Sequence, residues 1–162
     1  MPNRELSVAA YVRLVRTAET LHAEVSRGLL AEGLTASQFS TMKALMLQGP
    51  LAQRDIAKYL LKTGGNVTVV VDNLERMGLV TRIRDTEDRR IVFVKLTAEG
   101  EATFHRVYPG HKERINAAVA ALSEFDCERL LALLDKLPTP GDDPVCALLD
   151  KSLNHETTVA AG

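Results

Sequence analysis

Tryptophan is absent, so a large aromatic cage for a ligand is not expected. The two cysteines, Cys127 and Cys146, share no short metal-ligand spacing. That argues against a zinc site and against a disulfide framework. The four histidines are His22, His105, His111 and His155. None sits in a nucleophile or metal pattern with carboxylates. His105 and His111 straddle Pro109-Gly110 and can line a pocket there, although a lone histidine at such a place is more often a structural group. No enzyme, metal or cofactor is expected. No apolar run reaches the length a bilayer needs, and the opening Met1-Pro2-Asn3-Arg4-Glu5 leads into no signal-like stretch. A cytoplasmic protein without a membrane partner is expected. Internal repeats and low-complexity tracts are also lacking.

What remains is an ordinary soluble composition, with 46% hydrophobic and 25% charged residues over 162 positions. The net charge of −1 hides an uneven distribution. Residues 35–97 hold ten Lys/Arg against six Asp/Glu, and the rest of the chain holds ten against fifteen. A basic middle between acidic ends fits a nucleic-acid-binding centre whose flanks have another task.

Tyr11, Leu14, Ala18, Leu21, Val25 and Leu29 alternate steps of three and four, which predicts a helix over about 6–30. Thr35 or Ser37 caps a second helix carrying Phe39, Met42, Leu45 and Met46, and Gly49-Pro50 stops it. A short third helix follows, with Leu51, Ile56, Ala57, Leu60 and Leu61 as its apolar set. After the turn Lys62-Thr63-Gly64-Gly65, a fourth helix runs over about 66–77 to Gly78. Three short helices with a tight turn before the last make a helix-turn-helix. Residues 79–84 and 91–96 are rich in β-branched side chains and predict a hairpin, or wing, with a charged connector over 85–90. Thr97 caps a fifth helix over about 98–121, which Pro109 should kink or break. Ser123 with Asp126 caps a sixth, striped by Leu130, Leu133, Leu134 and Leu137. Residues 145–153 suit a short helix in an otherwise loose tail.

The expected fold is mainly α with a β wing, in the order α-α-α-α-β-β-α-α. Residues 1–34 and 98–137 flank a winged helix-turn-helix lobe over 35–97, with a tail over 138–162. The apolar surface of helices one, five and six calls for a second copy of the chain, so a two-fold homodimer is expected.

On the fourth helix, Val67, Val70, Val71 and Leu74 share the core side. Gly65, Asn66, Thr68, Val69, Asp72, Asn73 and Arg76 lie outward or flank that face. Small polar groups and an exposed valine let a helix approach a groove closely. Asn66 suits an adenine edge, Thr68 a base or phosphate, and Val69 a thymine methyl. Asp72 would repel phosphate unless it binds Arg76 one turn on or accepts from a cytosine amino group. On the wing, Arg82 and Arg84 are expected on one face of the first strand. An arginine at the tip, Arg89 or Arg90, suits a narrow minor groove, with Asp88 holding it in place. The expected contact set for double-stranded DNA is Thr63, Gly65, Asn66, Thr68, Val69, Asn73, Arg76, Arg84, Asp88, Arg89 and Arg90.

Residues 78–100, with the element Asp85-x-x-Asp88-Arg89-Arg90 followed by Leu96-Thr97-x-x-Gly100, resemble the wing of the multiple-antibiotic-resistance regulator (MarR) family. The resemblance runs from the stretch opening at Leu34 through Leu137, and the Tyr108-Pro109-Gly110-His111 stretch also resembles a segment common there. It implies a triangular homodimer on a pseudo-palindromic operator, with the recognition helix in the major groove and Arg90, supported by Asp88, in the minor groove. It also implies repression of nearby genes and release of DNA by a small phenolic or lipophilic effector, or by cysteine oxidation. The implied effector site lies between the winged lobe and the dimer helices, with Tyr11, Arg16, His22 and Met42 as candidates by position. The peroxide-sensing branch of that family keeps its cysteine in the first helix, and this first helix has none. A redox response would have to use Cys127 or Cys146. A second alternative is a winged-helix protein–protein module in which Arg90 meets an acidic partner.

Overall fold

The computed structural model describes residues 3–60 and 64–137. In chain order it contains α1 (Arg4–Ala31), α2 (Ala36–Gln48), β1 (Leu51–Ala52), α3 (Gln53–Leu60), α4 (Gly64–Arg76), β2 (Val80–Arg84), β3 (Val92–Leu96), α5 (Ala98–Ala118) and α6 (Glu124–Leu134). The expected Leu61, the turn residues Lys62 and Thr63, Cys146, His155 and the short helix over 145–153 lie outside the described residues.

Local chemistry sets the helix starts. Thr35 and Gln38 form a reciprocal capping box at α2, and Ser123 and Asp126 do the same at α6. The Thr97 hydroxyl accepts the Gly100 N–H at the head of α5. Gly78, at φ 74°, takes the left-handed conformation after α4 and turns the chain into β2. Gly64 and Gly65 do not take that conformation. They form the first turn of α4, two residues before the expected start.

The core is built from α2, α3, α4 and the sheet, with Leu29 of α1 and Phe104 and Val107 of α5 closing it. Met42, Ala44, Ile56, Val71, Leu74 and Val94 are wholly buried. An aromatic column ties α5 to α2. Phe104 stacks on Phe39 at 5.4 Å between centroids, Tyr108 on Phe104 at 5.2 Å, and His111 lies against Phe39 at 4.6 Å.

Two expectations about elements are corrected. Leu51 belongs to a third strand and not to α3: β1 pairs antiparallel with β3, Leu51 opposite Val94 and Ala52 opposite Phe93, so the sheet order is β1-β3-β2. This short pairing joins the wing to the connection between α2 and α3. Pro109 does not break α5, which runs continuously to Ala118. A proline removes one backbone donor and crowds the carbonyl four residues earlier, here that of exposed His105. Anchors on both sides, Phe104 and Val107 before it and His111 after it, hold both halves of the helix against the core.

The remaining apolar surface has no cover among the described residues. Only Leu29 of α1 is buried, while Leu6, Val8 and Tyr11 stand 60–68% exposed. Among the described residues α6 contributes no buried side chain, and its Phe125, Leu130, Leu131 and Leu133 are all exposed. No helix of the described residues is long and apolar enough to cross a membrane.

Candidate nucleic-acid interface

Burial divides α4 as its spacing predicts. Val67, Val71 and Leu74 are buried and Val70 is half-buried. Gly65, Asn66, Thr68, Val69, Asp72 and Arg76 are exposed, and Asn73 is half-exposed. Val69 leaves 59% of its surface in solvent although its neighbours fill the core. The Thr68 hydroxyl donates to the Gly64 carbonyl at 3.1 Å and accepts from Gln53 Nε2 at 3.2 Å. Its oxygen is thus fixed in place at the start of the helix.

The tip of the wing is folded by its own backbone. Asp85 Oδ1 accepts the N–H groups of Glu87 and Asp88, at 2.7 and 3.0 Å. These bonds stabilise the charged carboxylate and hold its pKa below the usual range. Asp88 Oδ1 accepts the backbone N–H of Arg90 at 2.9 Å. Asp88 therefore braces the chain at Arg90 through the backbone. The side chains of Arg84, Arg89 and Arg90 are all exposed.

Asp72 departs from expectation. Arg82 and Arg84 lie two apart on the regular strand β2 and so share its face, but only Arg84 stands exposed. Arg82 folds back onto α4, where it bonds Asp72 at 2.5 Å and also Glu75. Its own N–H donates to Glu75 Oε1 at 3.2 Å, and its Nε reaches Gln53 Oε1 at 3.4 Å. Burial works against its charge, but the bonds and attraction of the two carboxylates outweigh it and raise its pKa. Asp72 accordingly pairs with Arg82 and not with Arg76. Arg76 instead donates to Asn73 Oδ1 at 3.0 Å. Sequence reasoning noted Arg82 but missed Gln53 and Glu75, since a pair spanning separate elements leaves no periodic signal.

Of the effector candidates, Tyr11, Arg16 and His22 stand exposed on α1, while Met42 is sealed in the core. A different cluster sits where α1, α2 and α5 meet. His111 Nδ1 and Arg114 Nε and Nη2 are buried without a hydrogen-bond partner among the described residues. Arg114 lies across Gly28, where a Cβ would fall 2.1 Å from its Nε. Desolvation, then the nearby Arg114 and Lys43, push the His111 pKa down, and desolvation lowers that of Lys43. The sequence points to His111 as a pocket residue but not to Arg114 or Lys43, because the three come from two separate helices. Cys127 is a free, half-buried thiol in the first turn of α6.

A buried-backed helix with a bare leading edge, followed by a two-stranded wing that β1 extends to a three-stranded sheet, defines a winged helix-turn-helix DNA-binding fold. The MarR family model matches residues 34–92. The HTH-type transcriptional regulator YkoM of Bacillus subtilis is 32% identical over 132 residues, covering 82% of this chain and 86% of the relative. The solved structure of Bordetella bronchiseptica BpsR, described with the regulation of its DNA binding by 6-hydroxynicotinic acid, superposes at TM-score 0.70. It is 26% identical and covers 80% of this chain and 97% of its own. Escherichia coli MarR (a cysteine-to-serine mutant, solved with operator DNA) shares the fold at TM-score 0.75, with 23% identity over 85% of this chain and all of that one. The chain belongs to the MarR family of DNA-binding transcriptional regulators.

Proposed function

We propose that the chain is a homodimeric repressor that occupies a pseudo-palindromic operator and leaves it when a small acidic molecule binds. The observation that carries the DNA reading is the contrast on α4: Val67, Val71 and Leu74 are buried while Asn66, Thr68 and Val69 stand bare beside a wing with three exposed arginines. Asn66 and Thr68 offer hydrogen bonds to base edges and Val69 an apolar contact. Gly65, Asn73 and Arg76 flank them, Thr63 precedes the helix, and Arg84, Arg89 and Arg90 meet phosphate or the minor groove with Asp88 bracing the tip.

The exposed leucines of α6 and the apolar half of α1 support a two-fold dimer, since contiguous apolar patches of this kind mark association surfaces. The unpartnered Arg114 donors, with His111 and Lys43 near them, support an acidic effector. A buried donor left unmade costs about 1–3 kcal/mol, so an anion that satisfies it gains that much. Tyr11, Arg16 and His22 would complete the site once a second copy covers α1, with Met42 forming the core beneath it. BpsR, whose DNA binding responds to an aromatic acid, is a precedent for the class.

The test is selection of bound sequences from a random DNA pool, followed by sedimentation of the protein alone and release assays with aromatic and aliphatic acids. A palindromic consensus, a species of twice 17.7 kDa and release by acids support the reading. A monomer that binds a non-repeated site refutes the dimer. Indifference to every acid, with release by peroxide, would move the switch to Cys127 or Cys146.

A further inference from the structure

Asp72 poses a problem for the interface just described. It stands 48% exposed on the outward face of the helix that should meet DNA, with Glu75 40% exposed one turn nearer the wing. Two bare carboxylates there would repel phosphate. Arg82 answers both at once. Its guanidinium bonds Asp72 and Glu75, its backbone N–H bonds Glu75 Oε1, and its Nε meets Gln53, which in turn holds the Thr68 hydroxyl. One side chain of β2 thus links the wing, the recognition helix and the head of α3.

We propose that Arg82 is a positioning residue that does not touch DNA: it clamps the wing strand to the recognition helix, cancels the two carboxylates, and fixes Thr68 through Gln53. Its side chain is only 25% exposed, whereas Arg84, Arg89 and Arg90 stand open to solvent. A planar fork suits two carboxylates in a way a lysine ammonium does not. Without it, the wing could still bind and the helix could still enter a groove, but each would lose its fixed angle to the other. The inference rests on the DNA-binding reading for its consequence, and on the bonds within the free protein for its mechanism.

Arg82→Ala is compared with the triple variant Arg82→Ala/Asp72→Asn/Glu75→Gln on the selected operator, across a salt series. The single variant should bind about tenfold more weakly, the middle of what one ion-pair network carries. Its salt slope should match the parent's, because no phosphate contact is lost. Affinity should return only in part in the triple variant, whose carboxylates are gone but whose clamp is still missing; full return would show that charge cancellation alone mattered and overturn the clamp. A direct phosphate contact would instead lower the slope by about 0.9 in both variants. That result overturns the proposal, as does parental affinity in the single variant. Amide hydrogen exchange in the absence of DNA provides a separate arm. Exchange at residue 82 should quicken in Arg82→Ala while core amides keep their protection, which shows the variant is folded. Unchanged exchange refutes the clamp. If the parent selects no DNA, the proposed function fails and the exchange arm alone decides the clamp.

Discussion

Gly100→Ala puts the junction between the wing and α5 to a direct test. Gly100 is buried in the first turn of α5, and a Cβ there would fall 2.0 Å from the Leu79 carbonyl oxygen and 3.1 Å from Leu96 Cδ2. An ordinary carbon–oxygen contact lies near ~3.3 Å. The helix and the root of β2 must therefore separate by more than about 1 Å, well beyond what a side-chain rotation supplies. That same carbonyl accepts the Thr97 N–H at 3.1 Å, and the Thr97 hydroxyl donates to the Gly78 carbonyl at 2.7 Å. Overpacking costs about 1–3 kcal/mol, and each strained bond about 1 more. Alanine recovers about 1 kcal/mol of helix propensity. The net loss is about 2–4 kcal/mol, or roughly 5–15 °C in Tm for a chain of this size. Urea unfolding followed by circular dichroism, at one fixed protein concentration, reads the difference. If Gly100→Ala is as stable as the parent or more so, the carbonyl yields freely, helix propensity has won, and the reasoning is refuted.

Asn66→Ala should cost about 1–3 kcal/mol on the best operator and relax preference at one or two base pairs, as measured by competition with single-site mismatches. Equal loss on all sequences would make Asn66 a phosphate contact. Arg90→Ala should weaken binding across sequences and reduce the salt slope by about 0.9, while Asp88→Ala should reproduce part of that loss by freeing the Arg90 backbone. If Arg84→Ala fails and Arg90→Ala does not, the strand and not the tip makes the contact. His111 should make stability fall on acidification: its pKa is lowered in the folded state, so the unfolded chain takes up the proton first as pH drops through the ordinary histidine range near ~6.5. The urea midpoint should be full above that range and decline below it, and His111→Gln should flatten the decline; an identical decline in the variant would assign it to other groups.

Much of the lobe was legible because its physics is local. The three-and-four spacing of Val67, Val71 and Leu74 announces α4, and the β-branched runs around 80–84 and 92–96 announce the wing. Caps at Thr35, Thr97 and Ser123 are readable for the same reason, since each needs only its own next three residues. Three features were not legible. A strand of two residues, Leu51–Ala52, is too short to show any period, and only β3 beside it makes it a strand. Pro109 reads as a break because sequence does not show that Phe39 grips α5 beyond it. Arg82 reads as one of two strand arginines because Asp72 and Glu75, which claim it, are ten and seven residues away on another element. The outward row Asn66, Thr68 and Val69 was readable as exposed, but the brace from Gln53 to Thr68 was not.

The unbroken course of α5 gives the molecule a lever arm. The helix starts at the root of the wing and continues for 21 residues past Pro109 to Ala118, a span of about 30 Å. Its head is bolted to the wing through Thr97, Gly78 and Gly100, and its tail leads to the uncovered leucines of α6. A tilt of about 10° about one end carries the other through about 5 Å. That is close to half the ~12 Å width of a major groove. A break at Pro109 would have absorbed such a rotation as a joint; a continuous helix passes it on, so on the proposed function a repacking of about 10° among the outer helices would shift the winged lobe by a good part of a groove width.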